Sequence, residues 1–373
     1  MKEVTMWQIT DNKQWPALEQ QFEWVRVMAS VPQDARHHAE GNVAVHTQMV
    51  LEQLQQLPAY GELSPQEQEI MWAAALLHDV EKYSTTVHEP DGRITSAGHA
   101  RKGEMRARQI LYRDIPAPFH IREEIAKLVR YHGLPLWAFD KKDPQKAVIM
   151  ASLEVNTRLL AMLARADALG RICDDQADLL YRLDCFEELC RDNQCWGVPR
   201  AFANAAAKMN YLLKEGVSPD YVPYEQPLTQ VIMMSGLPGA GKDTYVQQHY
   251  KEWPVISLDD IRRALKIAPT DKSGNGTVIQ AAKEQAREYL RKGRSFVWNA
   301  TNITRQMREQ LTGLFFTYHA AVTIVYVEVP ASRLLQQNSR REHVVPAAAM
   351  ERLISKLEVP SLTEAHEVIW EVR

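Results

Sequence analysis

The 373-residue chain has no run of apolar residues long enough to span a bilayer. Its first residues, MKEVTMWQITDNKQW, lack the apolar core of a signal peptide. Together these predict a cytoplasmic protein with no membrane partner. Cysteine is scarce. Cys173, Cys185, Cys190 and Cys195 show no C-x-x-C spacing, which argues against a disulfide framework or a thiolate zinc site and predicts reduced thiols. No charge of one sign prevails: the net charge is −3, so the whole molecule has no global pull toward nucleic acid. The part after Leu228 carries more Lys and Arg than Asp and Glu, leaving room for a local basic surface. Strand patterns are missing from the first 227 residues, and no internal repeat or low-complexity tract occurs.

What is present before residue 228 is helical. Residues 1–45 are aromatic-rich and irregular. VHTQMVLEQLQQL, residues 45–57, reads as a helix. The next is better marked: Ser64 as N-cap, Pro65 at the first helical position and Glu67 completing a capping box. It runs through MWAAALLHDVEK, whose all-round apolar middle predicts burial. Helical patterns follow at 98–114, 119–131, 145–169, 176–191 and 200–214. Glu215–Pro227, with three prolines and no apolar period, reads as a linker. Beyond it, short apolar runs (VIMMS, PVISL, SFVWNA, VTIVYVEV and HEVIWEV) alternate with helices, the pattern of a parallel sheet. The expected fold is therefore an all-α domain over 1–214, a linker over 215–227 and an α/β P-loop domain over 228–373.

In the second domain, VIMMSGLPGAGKDTYV is a buried strand, a Gly-rich turn and a helix start. Gly236, Gly239 and Gly241 let successive N–H groups point inward, and Lys242 reaches the outer phosphates of a nucleotide. The spacing is G-x-x-x-x-G-K, but Asp243 stands where Ser or Thr is usual, and Thr244 follows. Asp259 and Asp260 close the second strand, where a carboxylate can accept a proton from an attacking hydroxyl or merely cap the helix. Asn299, Thr301 and Asn302 end the third strand. Arg340 and Arg341 follow a later helix, as cations that can close over ATP.

In the first domain, His78-Asp79 ends the buried helix. Adjacent helical residues diverge by about 100° yet can reach one ion beside the helix. His46 lies on the preceding helix and Asp167 late in an apolar helical segment, where a buried carboxylate needs a partner. Each has an ordinary reading alone, as a surface or capping residue. In order and on buried helices they point to a divalent metal such as Mn, Fe, Co, Ni or Zn.

The set His46, His78, Asp79, Asp167 resembles the H…HD…D pattern of HD phosphohydrolases, and HAEGNVAVHTQMVLEQL is similar to the HD domains of bacterial tRNA nucleotidyltransferases. That resemblance implies that His99 and His132 serve a second metal with Asp79 bridging, and that Lys82 touches a substrate phosphate. The second domain resembles 5′-OH polynucleotide kinases, through Gly236–Lys242, Asp259-Asp260-Ile261-Arg262, Thr301-Asn302 and Asn338-Ser339-Arg340-Arg341. It implies Asp259 as general base, Arg262 on the acceptor phosphate, Arg341 as lid arginine, and ATP with Mg²⁺ as cofactors. The two together resemble the HD-Pnk family of bacterial RNA end-healing enzymes. The implied function is phosphorylation of 5′-OH ends coupled to hydrolysis of 2′,3′-cyclic or 2′/3′-phosphate ends, with RNA ends as partner and an RNA ligase downstream. A small-molecule (nucleoside) kinase fused to a nucleotide phosphohydrolase uses the same chemistry and is the alternative.

Overall fold

The computed structural model describes residues 6–224, 227, 229–268, 271–340 and 344–373, and the chain divides into two compact units, Met1–Ala201 and Phe202–Arg373. The first is built on the helix Pro65–Leu77. Ser64 Oγ accepts from the Glu67 N–H, and the Glu67 carboxylate accepts from the Ser64 N–H at 3.0 Å, closing the capping box. From Ile70 to Leu77 every residue is buried, at about 1.5–3 kcal/mol for each large apolar side chain. The helices Val43–Gln56, Phe119–Tyr131 and Thr157–Leu169 pack around it.

Four details depart from the sequence reading. Residues 1–45, read as irregular, hold the short helices Trp15–Gln21 and Glu23–Val27. The segment 145–169 is two helices, Pro144–Ser152 and Thr157–Leu169, bent by 111°. The cause is Asn156, whose side chain accepts from the Arg158 and Leu159 N–H groups and starts a new helix. A small antiparallel hairpin, β1 (Val87–His88) and β2 (Ile94–Thr95), interrupts the otherwise helical unit. Two-residue strands carry no period-2 signal, so sequence patterning misses them. Finally, the helix Ala205–Leu213, expected at the end of the helical domain, belongs to the second unit, where Lys208 Nζ donates to Leu362 O at 2.8 Å and His366 O at 3.1 Å. The described residues of the expected linker carry no helix or strand.

The second unit is a five-stranded, wholly parallel sheet. Its strands are β3 (Thr229–Ser235), β4 (Val255–Ser257), β5 (Phe296–Asn299), β6 (Ala320–Glu328) and β7 (Glu367–Val372), in the order β4-β5-β3-β6-β7. Burial on both faces explains the near-continuous apolar strands. Val231, Met233, Phe296, Trp298, Val322 and Ile324 form the core with Phe315. Because the strands are parallel, the segments after β3, β4 and β5 leave from one edge, the usual ligand-binding edge of such sheets. Among the described residues no single helix is long and apolar enough to cross a membrane.

Candidate metal centre and phosphate loop

In the helical unit, three histidines are oriented by the same contact. His78, His99 and His132 each turn Nδ1 to a carbonyl three residues earlier: Ala75 O at 2.7 Å, Ser96 O at 2.8 Å and Val129 O at 2.8 Å. A carbonyl only accepts, so each Nδ1 carries the proton and each Nε2 presents a lone pair. His46 does the same through Nδ1, 2.9 Å from Glu40 Oε1 and 3.2 Å from Gly170 O. The four Nε2 atoms then converge in pairs, His46 with His78 at 3.4 Å and His99 with His132 at 3.2 Å. Lone pairs facing each other at that distance repel unless a cation lies between them.

Asp79 stands between the pairs. Its Oδ2 is 3.2 Å from His78 Nε2 and 3.8 Å from His46 Nε2; its Oδ1 is 3.4 Å from His99 Nε2 and 3.9 Å from His132 Nε2. Both oxygens are buried; Oδ2 is paired with the Lys82 ammonium, while Oδ1 has no hydrogen-bond donor among the described residues. Asp167 Oδ1 lies 3.1 Å from His46 Nε2, and Arg171 holds its carboxylate at 2.6 and 3.0 Å. Ligand atoms of His46, His78 and Asp79, and of Asp79, His99 and His132, cluster closely enough for an ion each. A mixed imidazole–carboxylate donor set with one orphaned buried oxygen, Asp79 Oδ1, fits divalent transition metals.

The electrostatics agree. Burial first, then His99 and His78, push His132 down to about 3, leaving a neutral imidazole. Burial likewise lowers His99. Burial opposes ionisation of Asp79, but His78 and Lys82 hold its carboxyl well below the usual range. His46 is the exception: burial would lower it, yet Asp167 and Glu40 raise it. Lys82 Nζ sits 2.8 Å from Asp79 Oδ2 and 2.6 Å from Gln33 Oε1, at the wall of a cavity of about 560 Å³ that also contains Asp167, Arg171, His38 and His99. Asp167 reaches His46 because two helices nearly touch: a Cβ at Gly170 would lie 2.8 Å from the Val50 backbone nitrogen.

Sequence reasoning missed the residues behind the ligands. Glu40 Oε1 also lies 2.8 Å from His38 Nδ1, so one carboxylate orients two imidazoles. Burial would raise Glu40, but hydrogen bonds from His38, His46 and the Ile172 N–H keep it below the ordinary range. Glu40 stands inside the quoted HAEGNVAVH stretch, and Arg171 one turn past Asp167; those spacings were the available signals.

In the second unit, Gly236, Gly239 and Gly241 have φ of 141°, 85° and 100°. A Cβ at Gly236 would lie 2.4 Å from Val327 O near the end of β6, the strand beside β3, so only glycine fits. Lys242 opens the helix Lys242–His249 and its Nζ donates to Gly236 O (2.9 Å) and Leu237 O (3.0 Å), curled over its own loop. Asp243 Oδ1 accepts from Asn299 Nδ2 at 2.7 Å, joining the end of β5 to the loop, and Thr244 beside it is exposed. This cradle fits a nucleotide's phosphates.

The other predicted residues are placed as follows. Ser257 caps the helix Leu258–Ala264 by accepting from the Asp260 N–H at 3.2 Å; Asp259 does not cap it and is exposed in its first turn. Asp260 pairs with Arg263, and Arg262 donates to Asn275 Oδ1 at 2.6 Å. Asn302, at φ 43°, is buried and structural: its Nδ2 donates to Met234 O at 2.8 Å and its carbonyl accepts from Ser235 Oγ at 3.0 Å. Thr301 O accepts from the Gly236 N–H at 2.9 Å. Asn338 exchanges hydrogen bonds with the Val345 backbone at 2.8 and 3.1 Å. Arg340 is exposed at the end of Ala331–Ser339, and Arg341 lies outside the described residues.

Comparison with known proteins matches two family models. One described as an HD domain covers residues 42–172, and one described as an AAA domain covers 231–360. The Multifunctional CCA protein of Methylococcus capsulatus is 36% identical over 118 residues, 32% of this chain and 25% of that protein. Transcription factor bHLH140 of Arabidopsis thaliana is 26% identical over 182 residues, 45% of this chain and 19% of that protein. The chain thus spans a quarter or less of these relatives' lengths. Among solved structures, a sugar kinase from Janibacter sp. HTCC2649 is similar at 19% identity and a TM-score of 0.31, covering 39% of this chain and 85% of that one. The chain carries a helical domain that matches the HD model, followed by a P-loop domain on a five-stranded parallel sheet that matches the AAA model.

Proposed function

We propose that the chain is a bifunctional RNA end-healing enzyme. Its helical unit hydrolyses a 2′,3′-cyclic or terminal phosphate, and its P-loop unit phosphorylates a 5′-OH from ATP. The observation that carries the hydrolytic half is the Asp79 carboxylate set between two pairs of converging Nε2 atoms, beside a cavity lined by Lys82 and Arg171. His46, His78, Asp79 and Asp167 would hold one divalent ion, and His99 and His132 with Asp79 a second. Such ions, when bound, lower the pKa of water and neutralise phosphate charge. Lys82 and Arg171 then orient the phosphate from the cavity wall and offset its charge.

In the kinase half, Asp259 takes the proton of the attacking hydroxyl. Lys242 leaves its loop carbonyls for the transferred phosphate, and Asp243 and Thr244 are the side chains available to Mg²⁺. Arg262 orients the acceptor end; Arg340 and Arg341 close over ATP. What supports RNA as substrate is the pairing itself. Many RNA breaks leave a cyclic phosphate on one side and a 5′-OH on the other, and a ligase can join neither before both are repaired.

The test is one oligoribonucleotide with a 5′-OH and a 2′,3′-cyclic phosphate, incubated with γ-labelled ATP, Mg²⁺ and Mn²⁺. The expected product carries label at its 5′ end and has lost its cyclic phosphate. Labelling of free nucleosides but of no oligonucleotide would replace this reading with the small-molecule kinase.

A further inference from the structure

We infer that the cavity of the helical unit carries a nucleobase subsite built on Trp137, so that its substrate is a phosphate attached to a base-bearing nucleotide rather than a bare sugar phosphate. This rests on the phosphohydrolase reading and specifies its substrate.

The cavity has two chemically different walls. Asp79, Asp167, Lys82 and Arg171 make a charged floor. Leu134, Trp137 and Leu179 make an apolar wall, joined to the floor through His132 and Gly133. Its volume of about 560 Å³ lies within the range of small-ligand sites and exceeds what a phosphate group needs.

Trp137 leaves 40% of its surface exposed, although it ends the short helix Leu134–Trp137, only five positions after the candidate ligand His132. The indole is not loose. The Arg182 guanidinium lies over its ring, 5.1 Å from the centroid. That arginine is itself fixed by Asp178 Oδ2 at 3.0 Å, Asp140 Oδ2 at 3.2 Å and Leu136 O at 3.3 Å. An aromatic ring clamped by a cation and left partly bare toward a ligand cavity is a stacking platform, and every base has a π face to offer. Stacking of one base on an aromatic side chain contributes about 1–3 kcal/mol, roughly a tenfold or larger effect on affinity. Lys141 and Arg130 also line the cavity and supply positive charge for the phosphodiester that precedes a terminal nucleotide.

The experiment compares kcat/KM for adenosine 2′,3′-cyclic phosphate with that for methyl riboside 2,3-cyclic phosphate, which lacks the base. It is run on the wild-type chain, Trp137→Phe and Trp137→Ala, with bound metal measured in each. A second arm uses an oligoribonucleotide with a terminal cyclic phosphate, with and without its last base. The wild type is expected to favour the base-bearing substrate about tenfold, mainly through KM. Trp137→Phe keeps most of that preference, and Trp137→Ala brings the ratio near one at unchanged metal content. A preference in both arms identifies a base subsite shared by free nucleotides and RNA ends; a preference in the second arm alone assigns it to RNA ends. Equal turnover of base-bearing and base-free substrates by the wild type in both arms, or a preference that survives Trp137→Ala, overturns the inference and leaves the hydrolase standing. Hydrolysis of neither substrate overturns both.

Discussion

At the scale of residues, the helical site is organised by where protons sit. Backbone carbonyls take the Nδ1 protons of His78, His99 and His132, and Glu40 takes that of His46, so all four Nε2 lone pairs face inward. Glu40 is the one charged member of this outer layer, and it makes its ligand more basic as well as orienting it. Glu40→Gln keeps the shape and removes the charge. It is expected to weaken Mn²⁺ binding about tenfold or more, read by calorimetric titration; an unchanged affinity would assign Glu40 a purely structural part. The candidate ligands His46, His78, Asp79 and Asp167 stand out in the sequence because His-Asp at a helix end and lone polar residues in apolar helices are conspicuous, whereas His99 and His132 entered only through the resemblance. Glu40, His38 and Arg171 do not stand out, because a carboxylate two residues from a histidine in a loop looks like any solvated surface pair. Asn302, part of the quoted motif, has a structural part: it ties the end of β3 to the segment that leaves β5.

At the scale of elements, the helices that bear His99 and His132 are held together by buried charge. Arg108, on His99–Gln109, bonds Glu104 Oε1 at 2.8 Å and Glu123 Oε2 at 2.9 Å, and Lys127, on Phe119–Tyr131, reaches Glu104 at 3.0 Å and Glu154 at 2.8 Å. Burial would raise Glu104, but Lys127 and Arg108 bring it down to about 2. A carboxyl depressed below its ordinary 4.5 stabilises the fold above that pH, and the contribution is lost as pH falls from about 4.5 toward 2. It is on the order of 3 kcal/mol at neutral pH. Glu104→Gln is therefore expected to lower the thermal midpoint of the full chain at pH 7, with the gap to wild type closing as pH drops below 4.5. A gap that is constant across pH 3–7 would contradict this assignment. Helix positions were legible from capping residues and apolar periods, and parallel strands from apolar runs. The break at Asn156, the β1–β2 hairpin and the allegiance of Ala205–Leu213 were not, because each is decided by local hydrogen bonds or by tertiary contacts that no period records.

At the scale of the molecule, one compact unit holds a cluster of candidate metal ligands and the other a glycine-built loop with Lys242 at its mouth. The central claim, that one chain carries two independent phosphate-handling sites, is tested most directly by separating them. Wild type, His78→Ala and Lys242→Ala are each assayed for 5′ labelling from γ-labelled ATP and for opening of a terminal 2′,3′-cyclic phosphate. The account predicts that Lys242→Ala loses labelling by about a hundredfold or more and keeps hydrolysis, while His78→Ala does the reverse, a loss of the size seen when a transition-state cation or donor is removed. Loss of both reactions in either variant, with the fold intact by circular dichroism, would contradict it.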